Sequence, residues 1–119
     1  MSQKEKKAFE VLKKDEITTE ELQQLLAERD EKNPSFLLID VREREEYSVE
    51  KIVGVDLLVP TSEFYLDTSI LDEHKNKTIV WQCRSGARSN SMQQILNGFG
   101  YKKVINLLGG ILDYGGPKD

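Results

Sequence analysis

Apolar residues arrive in short bursts along this chain, and the polar stretches between them differ in period. The first burst puts Ala8, Phe9, Val11 and Leu12 on a narrow stripe of a charged helix over residues 1–14. In "EITTEELQQLLAERDEKNP", Leu22, Leu25 and Leu26 recur at helical spacing. Thr18 or Thr19 is the candidate cap, with Glu20 or Glu21 near the third helical position, and Asn33-Pro34 is the expected stop. "SFLLIDV" is then a continuous apolar run of strand length, as a strand covered on both faces would be. "REREEYSVEKI" is polar with helical character, and "GVDLLVP" is a second strand closed by Pro60. Residues 61–77 are expected to hold short helical turns and a loop. "TIVWQC" is another buried strand, with Trp81 a core residue. "RSNSMQQILNGFG" predicts a helix with Met92, Ile95, Leu96 and Phe99 turned inward, and "KKVINLLGG" a last strand before a short C-terminal turn.

Strands alternating with helices are the signature of an α/β sheet covered on both faces. The spacings are long enough for the crossovers that parallel strands need. Ligands in such sheets bind beyond the carboxyl ends of the strands. "IDVR" and "WQCR" put polar residues there, so Asp40 and Cys83 are candidates to lie close together.

Length adds that 119 residues suit one core, divided as a charged helical extension over 1–15 and a domain over 16–119. The single cysteine cannot form an internal disulfide, and one Cys with one distant His (His74) cannot build a zinc site. The N-terminal stretch has charge but no apolar centre, unlike a secretory signal. The longest apolar stretch, "IVGVDLLVP", is broken by Asp56 and too short to cross a bilayer. The expected setting is therefore the cytoplasm, without membrane association. A net charge of -4 with 32% charged residues argues against a dedicated nucleic-acid binder. An acidic chain that binds an anion needs a local site for it.

"WQCRSGARSNS" is such a site. An ordinary thiol is mostly protonated at neutral pH. Arg84 and Arg88 favour the thiolate by Coulomb attraction. A helix beginning near Ala87 to Ser89 adds unpaired amides and the positive end of its dipole. Gly86 lets the intervening loop curl its amides inward as an anion nest. A simple buried cysteine at a strand end is the plain alternative, but the flanking arginines and glycine make it the weaker one. Two chemistries suit the cup: cysteine attack on phosphorus, and sulfur transfer through a persulfide. Cysteine-dependent phosphatases share a cysteine, five residues, then an arginine. Here Arg88 comes one position too early and Ser89 takes the arginine's place, which favours sulfur.

"LLIDVREREEY", "VWQCRSGARS" and "VINLLGGILDYG", in that order, resemble the rhodanese (sulfurtransferase) family in its single-domain form, over about residues 16–117. The resemblance implies a three-layer α/β/α fold around a five-stranded parallel sheet. It implies that Cys83 carries a persulfide cradled by the loop from Cys83 to Arg88. Arg84 and Arg88 would draw in thiosulfate or a similar small anionic sulfur donor. Ser85, Gly86, Ala87 and Ser89 would contribute mainly backbone amides, and Asp40 would brace the loop through an arginine. The acceptor would be cyanide, a thiol or a protein, with no cofactor or metal, and the chain a monomer or homodimer. A sulfur carrier loaded by a cysteine desulfurase, and a non-catalytic interaction module, are the alternatives of the same family.

The chain departs from the family pattern away from the loop. Glu50-Lys51 stands where Gly-His is frequent, Val55 where Ala is usual, and Tyr114 replaces a frequent Trp. His74, in "LDEHKNK", is expected on the surface, since an ionised thiolate needs no base. Arg42 is expected to pair with the acidic "EREE" at the surface.

Overall fold

The computed structural model describes residues 3–29 and 35–119. Five strands form one parallel sheet: β1 (Glu16–Ile17), β2 (Leu37–Asp40), β3 (Leu57–Leu58), β4 (Thr78–Gln82) and β5 (Lys103–Leu107), in the order β1-β5-β4-β2-β3. All four pairings are parallel, so every crossover must carry the chain back along a face of the sheet. The helices α2 (Thr19–Glu28), α3 (Arg44–Val49), α4 (Thr61–Leu66) with a 3-10 segment at Thr68–His74, and α5 (Ala87–Leu96) do this, while α1 (Gln3–Val11) precedes β1 and α6 (Gly110–Asp113) follows β5.

Alternation along the strands divides the core in two. Ile17, Leu38, Val80, Ile105 and Leu107 pack with Leu22, Leu25, Ile111 and Tyr114 on one face, and Ala8 and Val11 of α1 join them. Ile39, Ile79, Trp81 and Val104 pack with Phe64, Leu71, Met92 and Leu96 on the other. This is the three-layer α/β/α arrangement.

Helix α2 starts where its capping box sets it. The Thr18 side chain accepts from the Glu21 N–H at 3.1 Å, and the Glu21 carboxylate accepts from the Thr18 N–H at 2.9 Å. The helix ends at Glu28; the expected stop at Asn33-Pro34 lies outside the described residues. Asp56, which breaks the apolar run, accepts from the Leu38 N–H at 2.8 Å and pairs with Arg29 at 2.9 Å. Its charge ties the α2 end to the sheet.

Two expectations need correction. Helix α5 buries Ser89, Met92, Gln93 and Leu96, while Ile95 and Phe99 are exposed. The buried set follows i, i+3, i+4, i+7; Ile95 falls off that face, and Phe99 lies in the turn beyond the helix end at Leu96. Gln93 holds the inward place because its Nε2 donates to Asp15 O at 2.6 Å and Val104 O at 2.9 Å. The second is an omission: the fifth strand of the expected sheet is β1, two residues too short to show a period.

The carboxyl ends of β2 and β4 lie side by side, with Asp40 registered against Gln82. Cys83 is the next residue. His74 sits at the far end of β4, beside Lys77, and is partly covered.

Candidate active site

Strand β4 delivers Cys83 to the sheet edge, and α5 begins at Ala87, so a short turn must reverse the chain between them. Gly86 makes this turn with φ 97°, a left-handed conformation that costs a glycine nothing. The turn aims the Gly86 N–H at the sulfur, 3.0 Å from Cys83 Sγ. The Ser89 hydroxyl, one helical turn later, stands 3.5 Å from the same atom. Cys83 itself is only 1% exposed.

Burial pushes the Cys83 thiol up. The Ser89 hydroxyl and the backbone amides of Ser89, Gly86 and Ser85 pull it down further, and the net result lies below the ordinary thiol value. Hydrogen bonds therefore do most of what the sequence assigns to arginine charge. Ser89 also contributes more than the backbone amide expected of it, because its side chain reaches the sulfur.

The arginines are placed differently from each other. Arg84 is exposed on the rim, and its carbonyl accepts from the Leu112 N–H at 3.0 Å. Arg88 is half-buried and locked in a bidentate pair with Glu46 of α3, at 2.6 and 2.8 Å. The Arg88 guanidinium beside it holds the Glu46 carboxyl down at about 2. Ser85 and Ala87 are exposed on the loop.

Asp40 and Arg42 form a buried ion pair. Both Asp40 oxygens accept from the Arg42 side chain, the shortest contact being 2.8 Å, and Asp40 Oδ1 also accepts the Arg42 N–H at 2.9 Å. Arg42 is 4% exposed, which corrects the expectation of a surface pair with "EREE". A guanidinium beside a buried carboxylate is held by that carboxylate, not by solvent-facing glutamates. Its Nη2 donates to Glu50 O at 2.7 Å, which anchors the end of α3. Asp40 thus meets an arginine outside the loop, and the path onward runs through α3 and Glu46 to Arg88.

Beneath the loop, α6 completes the frame. The Ile111 N–H donates to Cys83 O and the Leu112 N–H to Arg84 O, both at 3.0 Å. A Cβ on Gly110 would stand 2.4 Å from Cys83 O, so only glycine allows that approach. With those carbonyls turned toward α6, the amides of Ser85 and Gly86 face the sulfur.

Glu46 and Asn106 are the site residues that sequence reasoning passed over. Glu46 lies inside "EREEY" with nothing to single it out from its neighbours. Asn106 had a signal: it is the polar residue inside the apolar "VINLL".

The chain that carries this arrangement matches a known family. The rhodanese-like domain model fits residues 18–116. The chain belongs to the rhodanese-like family. Among curated proteins, this rhodanese-like chain is 35% identical over 85 residues to a putative sulfur carrier protein, YrkF, of Bacillus subtilis, covering 71% of the chain and 44% of that protein. It is 30% identical over 100 residues to a putative mitochondrial thiosulfate sulfurtransferase of Schizosaccharomyces pombe, covering 75% of the chain and 70% of that protein. A crystal structure of a rhodanese-like domain protein from Staphylococcus aureus superposes with a TM-score of 0.70 at 27% identity, covering 87% of this chain and 93% of that one. The chain thus spans less than half the length of the Bacillus relative. Family membership supports sulfur-transfer chemistry of the sulfurtransferase kind. Among the described residues, no helix is long and apolar enough to cross a membrane.

Proposed function

We propose that Cys83 carries a persulfide and that the protein moves sulfane sulfur from a small anionic donor such as thiosulfate to a thiophilic acceptor. The observation that carries this reading is the Gly86 N–H 3.0 Å from Cys83 Sγ, in a loop whose neighbouring amides lower the thiol's pKa. The Cys83 thiolate attacks the outer sulfur of thiosulfate. The S–S bond of the donor breaks, its electron pair leaves with sulfite, and Cys83 keeps the sulfur as an anionic persulfide. An acceptor such as cyanide or a thiolate then attacks the outer sulfur, and Cys83 leaves as the thiolate. Charge balances in both steps, and no proton need move. This agrees with the position of His74 at the opposite end of β4. Arg84, exposed on the rim, meets the donor's sulfonate, while Arg88 is occupied by Glu46.

A second reading, favoured by the similarity to a putative sulfur carrier, is relay: loading by a desulfurase and discharge to a partner protein. Intact mass after incubation with thiosulfate, before and after reductant, separates the readings. One reversible added sulfur, absent in Cys83→Ser, is the expected result. Loading only from a desulfurase gives the relay. Loading from no donor overturns both, and Cys83-dependent hydrolysis of p-nitrophenyl phosphate points to a phosphatase instead.

A further inference from the structure

The Ser89 hydroxyl has one hydrogen and three acceptors around it. Cys83 Sγ lies at 3.5 Å, Gly86 O at 3.3 Å, and Asn106 Oδ1 is in direct contact. One hydrogen cannot serve all three. An anionic sulfur is the acceptor with most to gain, because it is buried and charged. If the Asn106 oxygen faces Ser89, the hydrogen is committed away from the sulfur. An amide has nearly the same shape either way round, and the hydrogen-bond network decides its orientation. With the nitrogen facing Ser89, Asn106 donates into Oγ, and the hydroxyl is left to donate to Cys83.

Asn106 has no structural reason to be polar at that place. It lies in β5 between Ile105 and Leu107, is 2% exposed, and is registered beside Trp81 of β4 and Glu16 of β1. A buried amide in an apolar layer is costly unless its hydrogen bonds are needed there. Its side chain meets Ser89, and Ser89 meets the sulfur.

We propose that Asn106 is a positioning residue for the sulfur site: its side-chain amide donates to Ser89 Oγ and so directs the single hydroxyl hydrogen to the anionic sulfur of Cys83. Cooperative polarisation along the chain Asn106–Ser89–Cys83 strengthens that last bond. The inference builds on the reading of Cys83 as the sulfur-bearing nucleophile, but its test needs no sulfur donor. Asn106 carries no charge, so replacing it leaves the charged groups around the sulfur in place. Those are Arg84 in the loop, Arg88 on α5, Glu43 and Glu46 at α3, and the Asp40–Arg42 pair at the end of β2.

The test is the pH midpoint of Cys83 alkylation by iodoacetamide, in the full chain. Ser89→Ala is expected to raise it by about one pH unit, the loss of one hydrogen bond to a charged group. Asn106→Leu is expected to raise it by a smaller amount, and the double variant to match Ser89→Ala alone. A folded Asn106→Leu protein with an unchanged midpoint overturns the proposal, as does full additivity with Ser89→Ala. A second measurement uses the unaltered protein. The Asn106 side-chain amide signals, followed by NMR, are expected to shift with the same midpoint as the thiol. Signals that stay fixed through the thiol's titration overturn the proposal even where no variant folds. Failure of the persulfide assay with these couplings intact removes the sulfur-transfer reading and leaves the positioning role standing.

Discussion

Around Cys83 oriented donors hold the thiol below its ordinary value, and the arginine whose charge couples to it, Arg88, is already compensated. Glu46 takes both terminal guanidinium nitrogens of Arg88, and that pair is about one-third exposed on each side. Glu46→Gln is therefore expected to cost only about 1 kcal/mol at neutral pH. The sign of the pH dependence follows from the carboxyl, which is held at about 2 against an ordinary 4.5. The pair stabilises the fold fully above about pH 4.5 and stops doing so as pH falls toward 2. Urea unfolding of the two proteins is expected to converge over that range. The same substitution frees the Arg88 charge, so the Cys83 alkylation midpoint is expected to fall, the opposite of Ser89→Ala. At this scale the loop residues were legible in the sequence, since Cys83, Gly86 and the two arginines stand in one run. Glu46 was not, and Asn106 showed only as a polar residue in an apolar run, because they come from 37 positions before and 23 after Cys83 (83 − 46 and 106 − 83) and meet the loop only in three dimensions.

The elements bring the donors to bear. Strand β4 fixes Cys83, α5 begins four residues later, and α6 holds the carbonyls of Cys83 and Arg84 from below. Gly110 is where this framework is tightest. It has φ 58°, and an added Cβ would fall 2.4 Å from Cys83 O and 2.5 Å from Arg84 O. Gly110→Ala is expected to cost about 2–4 kcal/mol in urea unfolding. It is also expected to move the Cys83 midpoint back toward that of an ordinary thiol, because the carbonyls would no longer be held away from the sulfur. Helices and strands with a clear period were legible. Strand β1 escaped because it has two residues, and the inward face of α5 was misjudged because Gln93 finds two backbone acceptors that local sequence does not display.

The whole molecule is two apolar clusters on either side of one sheet, with the site at an edge they share. Helix α1 contributes Ala8 and Val11 to the cluster on the α2 face, while the α5 face carries Trp81 and Met92 behind the loop. Val11→Ala is expected to lower stability by about 1–2 kcal/mol without changing the Cys83 alkylation midpoint. Thermal unfolding together with that midpoint checks both halves of the expectation. A shift in the midpoint would show that the N-terminal helix bears on the site through the core.

By itself the sequence determined the alternation of strands and helices, the α/β class, the lone cysteine and the size of the loop that follows it. Those properties are periodic or local, written in adjacent residues. Tertiary structure decided which groups act on the sulfur. It gave Arg88 to Glu46, gave Asp40 to Arg42, and brought Ser89 to Cys83 and Asn106 to Ser89. Hydrogen bonds and ion pairs need their partners within about 3 Å, and the packing of a parallel sheet alone makes distant residues such close neighbours.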